Sequence, residues 1–172
     1  MNKLAAEEIV NLLFLPMSDE KLLGIFEKLD IEVPALDEEY KMEGEISIID
    51  DENSGLQFQF EEPTVYSEDG MPFLNTIAFA QEQKVSFPFG LHKKDSFETV
   101  IKKIGRNPDF CDKGWKESKQ WLLGFINDKE VSMGVNFKKD FKGGINNIVV
   151  SEFIRDGLEE DPYIFPCKEL EQ

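Results

Sequence analysis

The chain has 172 residues, of which 41% are hydrophobic and 15 are Phe. That excludes a disordered acidic chain and is enough for one domain with a packed aromatic interior. The net charge of −16 is segregated: residues 1–90 hold 5 Lys against 20 Asp and Glu, whereas residues 91–172 hold 14 Lys and Arg against 15. An acidic field of this kind repels phosphate backbones and anionic lipid, which argues against nucleic-acid or membrane partners, and it attracts a basic protein surface. Solubility alone is the plainer reading of an acidic composition.

The first stretch, MNKLAAEEIVNLLFL, places Glu7 and Glu8 inside its apolar run, unlike a secretory signal, and no segment has the length of a membrane span. The cytoplasm is therefore the expected location. Cys111 and Cys167 lie far apart without partners at metal-ligand spacing, so two reduced thiols are expected. With His92 the lone histidine, no metal site or cofactor is expected.

Residues 4–13 carry Leu4, Ile9, Val10, Leu12 and Leu13 among good helix formers, a helix that Pro16 ends. A second follows with Ser18 as N-cap and Leu22, Ile25, Phe26 and Leu29 on its inner face. EISII at 45–49 reads as a strand and DDENSG at 50–55 as a turn between antiparallel strands. Leu56, Phe58 and Phe60 alternate strictly with polar residues, which predicts a half-buried strand. Residues 73–80 form the next strand, and Val85, Phe87 and Phe89 another that Pro88 confines to an edge or bulge.

The clearest helix is the one ending at Gly105. Phe97, Val100, Ile101 and Ile104 share one face, Asp95 and Glu98 have capping-box spacing, Gly105 supplies a left-handed stop, and Pro108 prevents resumption. Residues 107–119 read as a polar loop carrying Trp115. Residues 121–126 and 131–137 form a hairpin with Trp121 in the core, and 145–153 a further strand.

Four short patterns recur in the same order. The helix end Lys28-Leu29 matches Lys103-Ile104, Leu56-x-Phe58-x-Phe60 matches Met133-x-Val135-x-Phe137, Leu74-Asn75-x-Ile77 matches Ile145-Asn146-x-Ile148, and Phe87-Pro88 matches Phe165-Pro166. They predict a single compact domain over 1–172 with an internal duplication of approximately 15–89 and 90–166. The expected fold class is α+β: two similar units, each a helix packed on a small antiparallel sheet.

The order of helix, strands, Phe87-Pro88-Phe89-Gly90-Leu91 link, helix from Ser96 to Gly105, and hairpin from Trp121 to Phe137 resembles bacterial immunity proteins, the antitoxins of bacteriocins or secreted effector toxins. In outline it is also similar to tandem-unit inhibitors of beta-lactamase. The resemblance implies a non-enzymatic, stoichiometric contact with a cognate toxin, and the acidic field suits a partner with a basic surface. The alternative is an adaptor or chaperone for a secreted protein.

Candidate partner-binding residues are the acids of first-half turns and loops, Asp50, Asp51, Glu52, Glu61, Glu62, Glu68 and Asp69, with Tyr66 among them as an aromatic anchor. Each acid taken singly is most often a solvated turn residue. Trp115, flanked by Lys113 and Lys116, is equally an interface residue or a lid on the helix beneath. Enzyme readings fare worse: acid pairs are too abundant for their spacing to inform, Cys111 and His92 act as nucleophile and base only if the fold joins them, and no phosphate-loop spacing occurs.

Overall fold

In the computed structural model, residues 3–33, 47–61, 71–112, 114–158 and 164–167 are described. Along the chain they form α1 (Ala6–Val10), α2 (Glu20–Leu29), β1 (Ser47–Asp51), β2 (Leu56–Glu61), β3 (Phe73–Phe79), α3 (Phe97–Ile104), β4 (Phe110–Asp112), β5 (Ser118–Ile126), β6 (Lys129–Phe137), β7 (Ile145–Glu152) and β8 (Ile164–Pro166). All eight strands join one antiparallel sheet in the order β1-β2-β3-β7-β6-β5-β4-β8.

This corrects the expected fold class. Two separate helix-on-sheet units do not form; the described residues build one long antiparallel sheet with three short helices. The reason lies at the seam, where Thr76–Phe79 of β3 pair with Ser151–Ile148 of β7. Two small sheets would each leave an unpaired edge there, and pairing those edges satisfies their backbone groups.

Period-two alternation decides which face is buried. Phe58, Ile77, Val150, Met133 and Trp121 lie in register across five strands, and each is fully buried. A parallel row runs Leu56, Phe79, Ile148, Val135, Lys119 and Cys111. The helices join the same core through Ile9, Leu22, Phe26 and Val100; the Phe26 ring lies 4.8 Å from Phe58 and 6.3 Å from Phe60. The opposite face is built from small and polar residues, with Gln59, Thr76, Ser151 and Ser132 in one row.

Local signals place the helices, with shifts of one residue at the caps. Asp19 rather than Ser18 caps α2, its carboxylate accepting from the Lys21 amide at 2.8 Å, and Asp30 closes the helix in the left-handed region. Ser96 caps α3 by accepting from the Thr99 amide at 3.2 Å, and Gly105 ends it at φ 85°. Asp95 instead accepts from the His92 amide and pairs with Lys103, both at 2.8 Å. No strand forms at residues 85–89: Val85 makes one isolated bridge to Leu4, and Pro88–Gly90 close a 3₁₀ turn.

The expected reduced thiols are joined. Cys111 on β4 and Cys167 just after β8 form a disulfide, with Cα atoms 5.2 Å apart. It fastens two three-residue strands, β4 and β8, within a stretch expected to be loop and tail.

Candidate partner-binding surface

The acids of the β1–β2 hairpin sit at one end of the sheet. Asp50 and Glu52 are exposed, Asp51 is half-buried and Ser54 is fully buried beneath the turn. The turn is rigidly held. The Asp51 carboxylate accepts from the amides of Asn53 at 3.3 Å and Ser54 at 2.9 Å, and the Gly55 carbonyl accepts from the amides of Ala80 at 2.9 Å and Gln81 at 3.2 Å. In the orientation that satisfies its amide, Gln83 donates to the carbonyls of Asn53 at 2.6 Å and Glu52 at 3.0 Å. Asp51 is thus the turn's internal clamp, whereas Asp50 and Glu52 project from it.

Glu61, at the far end of β2, is exposed and accepts from the Asn75 side-chain amide at 2.7 Å. Glu62, Tyr66, Glu68 and Asp69 lie outside the described residues.

Trp115 lies elsewhere. It is 46% exposed in the β4–β5 loop, whose turn is held by the Asp112 carboxylate accepting from the amides of Gly114 at 2.7 Å and Trp115 at 2.9 Å. It borders a hollow of about 400 Å³ with Phe137, Lys138, Lys139 and Asn146, beside the sheet rather than over a helix. Four strand spacings separate β2 from β5, roughly 20 Å. The described candidates therefore do not converge: Asp50, Asp51 and Glu52 lie at the hairpin turn, Glu61 at the other end of β2, and Trp115 in a corner lined by Lys138, Lys139 and Glu117.

The ion pairs draw their bases from the second half of the chain, although the exposed Glu98, Asp128 and Asp156 of that half have no ion pair among the described residues. Among the described residues the pairs are Glu82–His92 at 2.9 Å, Asp95–Lys103 at 2.8 Å, Asp109–Arg106 at 2.5 Å, Glu152–Lys129 at 3.6 Å and Glu130–Arg155 at 2.6 Å. Every base in these pairs is residue 92 or later. On α1, α2 and the hairpin, the exposed Glu7, Glu20, Glu27, Asp30, Asp50 and Glu52 have no ion pair among the described residues.

Two carboxylates among the described residues are held below their ordinary pKa. Partial burial opposes ionisation of Glu82, but hydrogen bonds from His92 and the Lys93 amide, with the charges of His92 and Lys3, outweigh it and leave the carboxyl below its ordinary pKa. Glu130 is held low by its two hydrogen bonds from the Arg155 guanidinium, at 2.6 and 2.7 Å. Neither neighbours a nucleophile. Cys111 is tied to Cys167, and His92 bonds Glu82, so the nucleophile–base pairing weighed from the sequence does not occur.

Sequence reasoning missed Phe125, 72% exposed near the tip of the β5–β6 hairpin, and Ile154, 66% exposed after β7. Phe125 sits in an apolar run that reads as core; the shift in pairing between Leu122 and Gly124 turns it outward. No helix of the described residues is long and apolar enough to cross a membrane. No protein-family model, curated protein or solved structure matches the chain.

Proposed function

We propose that the protein is an immunity protein that neutralises a cognate toxin by stoichiometric contact and performs no chemistry itself. The observation that carries this reading is the set of acids on α1, α2 and the β1–β2 hairpin that have no ion pair among the described residues. A surface whose carboxylates have no internal cations holds an uncompensated negative field, which speeds encounter with a basic partner and rejects acidic ones. The second half, with nearly balanced charge and the bases of the described ion pairs, is the part we assign to the scaffold.

Asp50 and Glu52 are the contact acids we assign to the rigid turn, and Trp115 is a second contact. A standard interface covers about 800 Å² on each partner, enough to span patches roughly 20 Å apart. Asp51 supports the contact by holding the turn.

For the location we give the disulfide more weight than the first residues. Glutathione keeps thiols reduced in the cytoplasm, so the Cys111–Cys167 pair favours action in an oxidising compartment over the cytoplasmic location expected from sequence.

The test is co-expression with the product of an adjacent toxin gene. The expected result is a salt-sensitive one-to-one complex and survival of cells that otherwise die. Cells left unprotected would overturn the reading. A complex in which the partner keeps full activity would point to the adaptor alternative.

A further inference from the structure

The second core row contains a residue that does not belong in a hydrophobic interior. Lys119 stands in register between Val135 of β6 and Cys111 of β4, on the face that carries the core, and the residue is only 9% exposed. Its ammonium lies 5.5 Å from the centre of the Phe141 ring and makes no ion pair or side-chain hydrogen bond among the described residues. Burying a lysine without a carboxylate is unfavourable, and here burial lowers its pKa more than the charges of Glu117 and Asp112 raise it.

The lysine lines a cleft of about 890 Å³ between α3 and the β4–β5 end of the sheet. Its lining includes the apolar Phe97, Ile101, Pro108, Phe110 and Leu122 and the polar Asn107 and Asp109. Arg106 also borders it, but its guanidinium is engaged by the Asp109 carboxylate and the Leu122 carbonyl. The cleft is therefore half-open and more apolar than polar, of a size that takes small ligands, with one cation that has no carboxylate partner among the described residues.

We propose that this cleft binds a small amphiphilic monocarboxylate, its carboxylate on the Lys119 ammonium and its aliphatic or aromatic body against Phe97, Ile101 and Pro108. A single available cation suits a singly charged head better than a phosphate, and the apolar walls require an apolar body. The site lies at the end of the sheet away from the β1–β2 hairpin and does not depend on toxin binding.

The experiment is NMR titration of the isolated, folded protein with octanoate, octanol and inorganic phosphate. Octanoate should give saturable shifts at amides of 97–101, 108–111 and 119–122, while octanol and phosphate should bind at least about tenfold more weakly, the loss of one charge-assisted contact. Lys119→Met should lose octanoate by about the same factor and Lys119→Arg should keep most of it. Absence of saturable octanoate shifts, equal binding of octanol or phosphate, or full octanoate binding by a folded Lys119→Met would overturn the proposal. The comparison of ligands on the unmodified protein decides it even where a variant does not fold.

Discussion

A β-carbon on Gly55 would lie 2.4 Å from the carbonyl oxygen of Gln81. Gly55 also has φ 76°, where side chains are disfavoured, so the turn that presents Asp50 and Glu52 can close against residues 80–81 only around a glycine.

Gly55→Ala should therefore destabilise the protein by at least about 2 kcal/mol, from the left-handed backbone plus a contact with backbone that cannot yield. Urea denaturation measures this. A variant as stable as the original would show that the turn is not so tightly held.

Charge reversal should separate surface from support. Asp50→Lys with Glu52→Lys should slow association with the proposed basic partner about tenfold at low salt while leaving stability nearly unchanged. Lys102→Glu, on the exposed face of α3, is the matched control and should have little effect. Lys103 is a poorer control because it donates to the Gly90 carbonyl and to Asp95, both at 2.8 Å. Asp51→Lys should unfold the turn, lowering stability as well as binding. Stopped-flow association and thermal melts on the same variants distinguish the two outcomes.

Trp115→Ala should cost little stability, because nearly half of the side chain is already exposed, and should raise the dissociation rate of the complex. An unchanged dissociation rate would remove Trp115 from the interface.

The disulfide closes a separation of 56 residues. Replacing both cysteines by serine should lower stability by roughly 2–4 kcal/mol and loosen β8, seen as faster amide exchange at Phe110–Asp112. Thiol titration of protein isolated from its native compartment should find no free thiol.

Glu82 sets an acid limb. Its folded-state pKa is lowered, so its contribution to stability is complete above the ordinary value of 4.5 and is lost as pH falls through the lower, folded value. Glu82→Gln should flatten that limb without altering the rest of the pH profile, as followed by denaturation at pH 3 to 6 (about one unit either side of a carboxyl titration). An unchanged limb would place the acid sensitivity in other carboxylates.

The strands with a repeating local pattern were legible before any tertiary information. Leu56, Phe58 and Phe60 had to share a face because side chains alternate, and the same logic placed Val131, Met133, Val135 and Phe137. Trp121 in an apolar run was legible as core for a similar reason. The cap shifts to Asp19 and Ser96 reflect competition between adjacent polar residues that differ little as caps, which backbone direction at the helix entrance resolves. β4 and β8 were not legible: three residues carry no period, and each strand exists because a neighbour and a disulfide hold it.

The division of the candidate site has the same origin. The sequence by itself determined that the acids crowd the first half, that α3 ends at Gly105, and that alternating apolar residues build one face of a sheet, because these are properties of neighbours along the chain. Only the tertiary structure decided that one sheet forms instead of two, that Cys111 meets Cys167, that Asp51 clamps the turn from which Asp50 and Glu52 project, and that Lys119 is buried in an apolar row. Each depends on which distant segments pair, and pairing is selected by the summed burial and hydrogen bonding of the whole sheet rather than by any local signal.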